Sequence, residues 1–159
     1  MRTRVGPRAR WAVVTFDVGG GSCAESGDAA AARANAETGV GAGAGPHAEA
    51  GDGVCSIRFQ VLGSALARLR GLLGTRRGDA RALPCLLVGC RSVHTFGMAY
   101  GIDVALVSEQ GRVLRVRRDV PAGRVVSCRG AAHALERPSS DGPWPQTGQA
   151  VSLQLFDVL

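Results

Sequence analysis

The sequence predicts a mainly β fold, an antiparallel sandwich or partly open barrel with one short helix near its start. Short apolar or alternating runs recur from Val54 onward, and a single helical pattern stands among them. No helix-length segment separates the later runs, as the crossovers of a parallel α/β sheet would require.

The elements follow in order. Ser56-Ile57-Arg58-Phe59-Gln60-Val61 alternates polar and apolar strictly, the pattern of a strand with one face on a core. Leu62, Leu66, Leu69 and Leu73 then recur at helical spacing, with Ser64 placed as N-cap, Gly74 where the helix would end, and Arg68 and Arg70 toward water. Residues 83–90 and Ile102–Val107 are apolar runs that suit strands buried on both faces. Glu109-Gln110-Gly111 reads as a three-residue hairpin loop, its last position a Gly that supplies the positive φ such a turn demands, and it leads into a strand at 112–118. Further strands are expected at 124–128, near 132–135 and at 149–156, where Val151, Leu153 and Leu155 face one way and Ser152 and Gln154 the other. The stretch 138–147, with three Pro and Gly142, is a loop.

A chain of 159 residues is one domain, or one domain plus a tail. Residues 19–53 hold ten Gly and eleven Ala, too little bulky apolar surface to offset the entropy of ordering them. Residues 1–53 are therefore read as a flexible Gly/Ala-rich N-terminal extension, with 11–18 either a lone strand or part of the head, and 54–159 as the β-rich globular domain. The basic character belongs to the second part, since residues 1–52 carry five Arg against six acids while 53–159 carry fourteen Arg against seven. Every basic residue apart from His is Arg, the mark of codon bias toward GC, so the net charge of +6 is weak evidence for an anionic partner.

No apolar run approaches the roughly 18–20 residues of a membrane span, and mean hydropathy is only +0.07. Cys23, Cys55, Cys85, Cys90 and Cys128 are an odd number without a Cys-x-x-Cys pair, which fits reduced thiols in the cytoplasm. The alternative is export through a weak N-terminal signal. The start is positively charged and leads into an apolar stretch, but Asp17 interrupts that stretch and small residues precede Cys23.

Residues 57–159 resemble the bacterial and archaeal family called domain of unknown function 192. The resemblance rests on Arg68-Leu-Arg-Gly-Leu-Leu-Gly74, His94-Thr-Phe-Gly-Met98, Ile102-Asp-Val104, the Gly111-centred hairpin, and the late Gly130-Ala131 with Leu135-Glu136. It implies a compact, jelly-roll-like β fold with a small helical component and no established activity. Two departures stand out: Gly101 occupies the place of the Pro the family usually has before Ile-Asp, and 138–148 is rich in Pro. The first 53 residues have no counterpart, and a start codon assigned too far upstream would account for them.

The chemistry-bearing residues are few. Cys85, Cys90 and His94 are soft ligand types at Cys-x4-Cys-x3-His spacing, yet side chains five apart on a regular strand point to opposite faces, so one metal would need a bulge at Gly89. Cys90 or Cys128 with His94 or His133 and an orienting Asp103 would form a thiol-hydrolase constellation. The bland reading is that His94 and Thr95 satisfy backbone groups while Phe96 and Met98 pack in the core. Asp103 lies inside an apolar run and needs a partner, for which Arg70 is the candidate, as a clamp between helix and sheet. Arg112, Arg115, Arg117, Arg118, Arg124 and Arg129 have no base-stacking aromatics among them, so a solvated sheet face is expected rather than a nucleic-acid surface. No Walker-type or dinucleotide Gly motif occurs in a strand-turn-helix setting, and no cofactor is expected.

These observations favour a small accessory or binding module, with Arg70, His94, Phe96, Met98 and Asp103 as its candidate pocket or structural cluster and a small ligand or protein as its partner. The alternative is a thiol- or metal-dependent hydrolase-like enzyme built on Cys90, His94 and Asp103.

Overall fold

The computed structural model describes residues 9–18, 49–51 and 53–157. In chain order the elements are β1 (Ala9–Asp17), β2 (Glu49–Gly51), β3 (Val54–Leu62), α1 (Ala65–Arg70), β4 (Cys85–Val88), β5 (Ser92–His94), β6 (Ile102–Val107), β7 (Val113–Val120), β8 (Val125–Ser127), β9 (His133–Pro138) and β10 (Ser152–Asp157). The main sheet runs β10-β1-β3-β4-β9-β6-β7, with β2 also paired to β3, while β5 and β8 form a small sheet of their own. The fold is β-rich, as the sequence predicts. The main sheet does not close into a barrel; near its two ends a single bridge, Arg112 to Ala150, lies outside the named strands.

The sheet is mixed rather than wholly antiparallel, because β3 and β4 run parallel. Their connection is long enough to carry α1, the one crossover helix among the described residues. The predicted boundary at residue 54 also cuts through the sheet. β1 is paired along one edge to β3 and along the other to β10, and Ala12, Val14 and Phe16 are buried in the core. Trp11 to Phe16 alternate half-buried with buried, the period-two signature that glycine-rich surroundings masked in the sequence. Of the expected flexible segment at 19–53, residues 19–48 and 52 lie outside the described residues, while Glu49–Gly51 pair with β3.

Two cores flank the central strands. Leu86, Ala105 and Leu135 face a first core with Val14, Ile57 and Phe59 from β1 and β3 and Trp144 from the loop after β9. Cys85, Leu87, Val104, Leu106 and Ala134 face a second core with Leu72, Val93 and Met98. Strands β4, β6 and β9 are therefore covered on both sides, which explains the apolar runs of β4 and β6. Alternation along β9 sends Leu135 and Arg137 to one side and Ala134 and Glu136 to the other.

The helix differs from its sequence expectation. Ser64 caps it as predicted, its Oγ accepting from Ala67 N at 3.1 Å, but it spans only Ala65–Arg70 and ends at Gly71 rather than Gly74. No residue of α1 is buried, and Leu66 and Leu69 are 70% and 60% exposed. The core contact comes instead from Leu72 and Leu73, after the chain has turned. Gly71 is required by its backbone, since φ there is +42°, and a Cβ would also press on Glu136 Oε2 at 2.8 Å.

Candidate functional site

A pocket of about 220 Å3 opens between α1 and the second-core face of the sheet. Ala65, Arg68, Leu69 and Arg70 of α1 line one wall with Leu73, and Leu87, Cys90, His94, Met98 and Glu136 are among the residues that line the rest. It is smaller than the roughly 300–1,000 Å3 of sites for drug-sized molecules, so it suits a ligand of few heavy atoms. Three of the five residues singled out in the sequence, Arg70, His94 and Met98, meet here.

Glu136 is the residue that sequence reasoning missed. It is 5% exposed and lies between Cys85 of β4 and Val104 of β6 in register. Its carboxyl has no hydrogen bond or ion pair among the described residues, and burial pushes it up to about 7. The signal was a charged residue within the short apolar strand pattern of Ala134-Leu135-Glu136, the same kind of anomaly that singled out Asp103. The neighbouring Cys85 thiol is pushed up to about 12, first by burial and then by the Glu136 charge, so it stays protonated and is no nucleophile.

The basic groups at the wall differ in their commitments. Arg68 Nη1 donates to the Val88 carbonyl at 2.6 Å and reaches the Gly89 carbonyl at 3.4 Å, pinning α1 to the end of β4. Arg70 is exposed and belongs to no ion pair among the described residues. His94 is half-buried, its Nδ1 is buried without a hydrogen-bond partner, and its ring stacks on Phe96 at 5.9 Å. Phe96 is 55% exposed, against the expectation that it packs in the core, while Met98 is 9% exposed and does. Thr95 is fully buried and satisfies backbone groups as expected: its Oγ1 donates to Pro121 O at 2.7 Å and accepts from Arg124 N at 2.8 Å.

Asp103 does not join the pocket, and Arg70 is not its partner. It points to the first-core side of β6, where Arg137 Nε stands 2.9 Å and Arg118 Nε 3.2 Å from its Oδ2. Its Oδ1 accepts from Asp119 N at 3.0 Å and from the Ser139 hydroxyl at 3.3 Å. The pairing of β6 with β7 slips between Ile102 and Val104, so Arg118 and Asp119 form a bulge whose free N–H is capped by this carboxylate. At Gly101 a Cβ would run into Asp119 Oδ1, the end of a side chain on this bulge.

The hydrolase constellation is therefore not assembled, because Asp103 lies across the sheet from Cys90 and His94 and cannot orient the imidazole. The chain turns at Gly89 after β4 ends, and this brings Cys85 and Cys90 to the same core, contrary to the expectation from strand alternation. Even so, no group of three His, Cys, Asp or Glu able to hold a metal occurs among the described residues. Of the predicted basic face, Arg112, Arg115 and Arg118 donate to the carbonyls of Gly148, Ser127 and Ser140, so half of it is engaged with the backbone of neighbouring segments.

The class this geometry defines is a β-rich domain with a small, mostly apolar pocket beneath a crossover helix. No protein-family model matches the chain, and no curated protein matches it. Among solved structures it is similar to a protein from Sinorhizobium meliloti described as a "putative transcription regulator", with a TM-score of 0.56 and 11% identity over 92% of this chain and 96% of that one. It is also similar to a protein of unknown function from Novosphingobium aromaticivorans, with a TM-score of 0.49 and 13% identity over 72% of this chain and 99% of that one. At 11% identity the first likeness shows a shared fold. Among the described residues no helix is long and apolar enough to cross a membrane.

Proposed function

We propose that this chain is a small-ligand-binding accessory module without catalytic machinery, and that the pocket beneath α1 is its binding site. One observation carries the reading: Glu136 lines the pocket, is almost wholly buried, and has no hydrogen bond or ion pair among the described residues. A buried carboxyl left unpaired is costly, and such groups are retained where something outside the chain completes them. We further propose that residues 57–159 are a divergent member of domain of unknown function 192. In support, the segments carrying that resemblance supply Arg68, Arg70, Leu73, His94, Met98 and Glu136, all of which line this pocket.

The test is a thermal-shift screen of small polar molecules against the native chain and against Ala65→Trp, a substitution at an exposed position on the pocket wall. Compounds should raise the Tm of the native chain and lose that effect in the variant. Equal shifts in both, or no stabilising compound, would overturn the proposal.

A further inference from the structure

We infer that the ligand is a small amino-acid-type zwitterion, its ammonium directed inward to Glu136 and its carboxylate outward toward Arg70. The inference rests on the binding reading above and deepens it. The lining charges are unequal in what they lack. Arg68 is committed to two backbone carbonyls and Arg70 is solvated, whereas Glu136 is 5% exposed and its carboxyl has no hydrogen bond or ion pair among the described residues. The greatest gain on binding therefore comes from a group that donates to Glu136 and carries positive charge. An ammonium does both, with three N–H donors to direct at the carboxyl oxygens.

A simple cation would meet two guanidinium groups along α1, so a carboxylate at the outer end of the ligand removes that repulsion and gains Arg70 as a partner. Between these ends Leu69, Leu73, Leu87 and Met98 offer apolar wall for a few methylene groups. An anion alone is disfavoured, since the deepest charge it would meet is a carboxyl.

Binding by an ammonium requires Glu136 ionised, so affinity should fall as pH drops below neutrality. The titratable and charged groups around Glu136 are Arg68 and Arg70 from α1, Cys85 from β4, His94 from β5, and Cys90 and Tyr100 from the segments between strands. None of them supplies a counter-charge that holds its carboxyl low.

The experiment is calorimetric titration of the full chain with glycine, γ-aminobutyrate, ε-aminocaproate, butyrate and butylamine at pH 8 and pH 6, repeated with Glu136→Gln and with Ala65→Trp. At least one amino acid should bind. Deleting its amino group, or replacing Glu136 by Gln, should weaken binding about tenfold or more, the loss of one charged hydrogen bond. Deleting its carboxylate should weaken binding less, because Arg70 is solvated, and binding should be tighter at pH 8 than at pH 6. Butyrate binding as tightly as γ-aminobutyrate, an unaffected Glu136→Gln, or no binding by any amino acid would overturn the ammonium assignment. In those cases the pocket reading still stands if the screen finds other ligands that Ala65→Trp abolishes. Amino-acid binding that survives Ala65→Trp would overturn both.

Discussion

Asp103 and Arg137 stand directly opposite one another on β6 and β9 and form a buried ion pair, with Arg137 Nε 2.9 Å from Asp103 Oδ2. The pair organises the loop after β9. The same guanidinium donates to the carbonyls of Pro143 at 2.9 Å and Gly142 at 2.7 Å, and it lies 4.6 Å from the Trp144 ring centre. Burial pulls the Arg137 guanidinium down from its ordinary value and Asp103 works against that, so the cation depends on its carboxylate.

Asp103→Asn should therefore cost about 3–5 kcal/mol, because it leaves a buried guanidinium without counter-charge and weakens the cap on the β7 bulge. Arg118→Ala removes the other partner of Asp103, but its side chain is 41% exposed and the expected loss is within about 1 kcal/mol. Urea unfolding of the two variants checks this, and equal losses would count against Arg137 as the principal partner.

The helix gives a second contrast. Leu72 is 2% exposed and Leu66 is 70% exposed, although the two lie six residues apart in one leucine-rich segment. Leu72→Ala should cost about 2–5 kcal/mol through lost burial and a cavity in the second core. Leu66→Ala should change stability by no more than about 0.5 kcal/mol, as surface substitutions do. Thermal denaturation of both variants distinguishes this geometry from a longer helix docked by Leu62, Leu66, Leu69 and Leu73.

That contrast shows where the sequence was legible. The two-sided burial of β4 and β6 was readable because neither run carries a regular polar alternation, and the Gly111 hairpin because its turn residue has a steric meaning. The helix end was not, since Gly71 and Gly74 both adopt positive φ and nothing local tells which of them ends the helix. The partner of Asp103 was obscured in the same way, because choosing between Arg70 and Arg137 requires knowing which strands pair. The pocket was half legible: Arg70, His94 and Met98 were singled out for their chemistry, while Glu136 was noted only as part of a resemblance. β1 was missed as a sheet member because its pairing partners, β3 and β10, lie far along the chain, at the start and end of the region read as globular.

Thr95 fixes the small sheet to the loop that precedes β8. Its hydroxyl is both donor to Pro121 O and acceptor from Arg124 N, and the residue is 0% exposed. Thr95→Val keeps the shape and deletes both bonds, leaving two backbone groups without partners. The expected cost is about 1–3 kcal/mol, with faster amide exchange at Arg124 as the local signature. Unchanged exchange there would show that the hydroxyl does not hold this loop.

Glu136 makes stability depend on pH in the direction opposite to an ion-paired carboxylate. Its folded value of about 7 lies above the ordinary 4.5, so between these limits the folded chain keeps a proton that the unfolded chain has lost. The stability this proton contributes is complete below about pH 4.5 and is lost as pH rises through 7. The shift corresponds to roughly 3 kcal/mol at alkaline pH. Glu136→Gln removes the charge while keeping the shape, so the variant should melt at a higher temperature than the native chain at pH 8 and at nearly the same temperature at pH 5. A variant that is less stable at both pH values would show that the native carboxyl is satisfied within the fold, and the pocket would then lose the unpaired group on which its assignment rests.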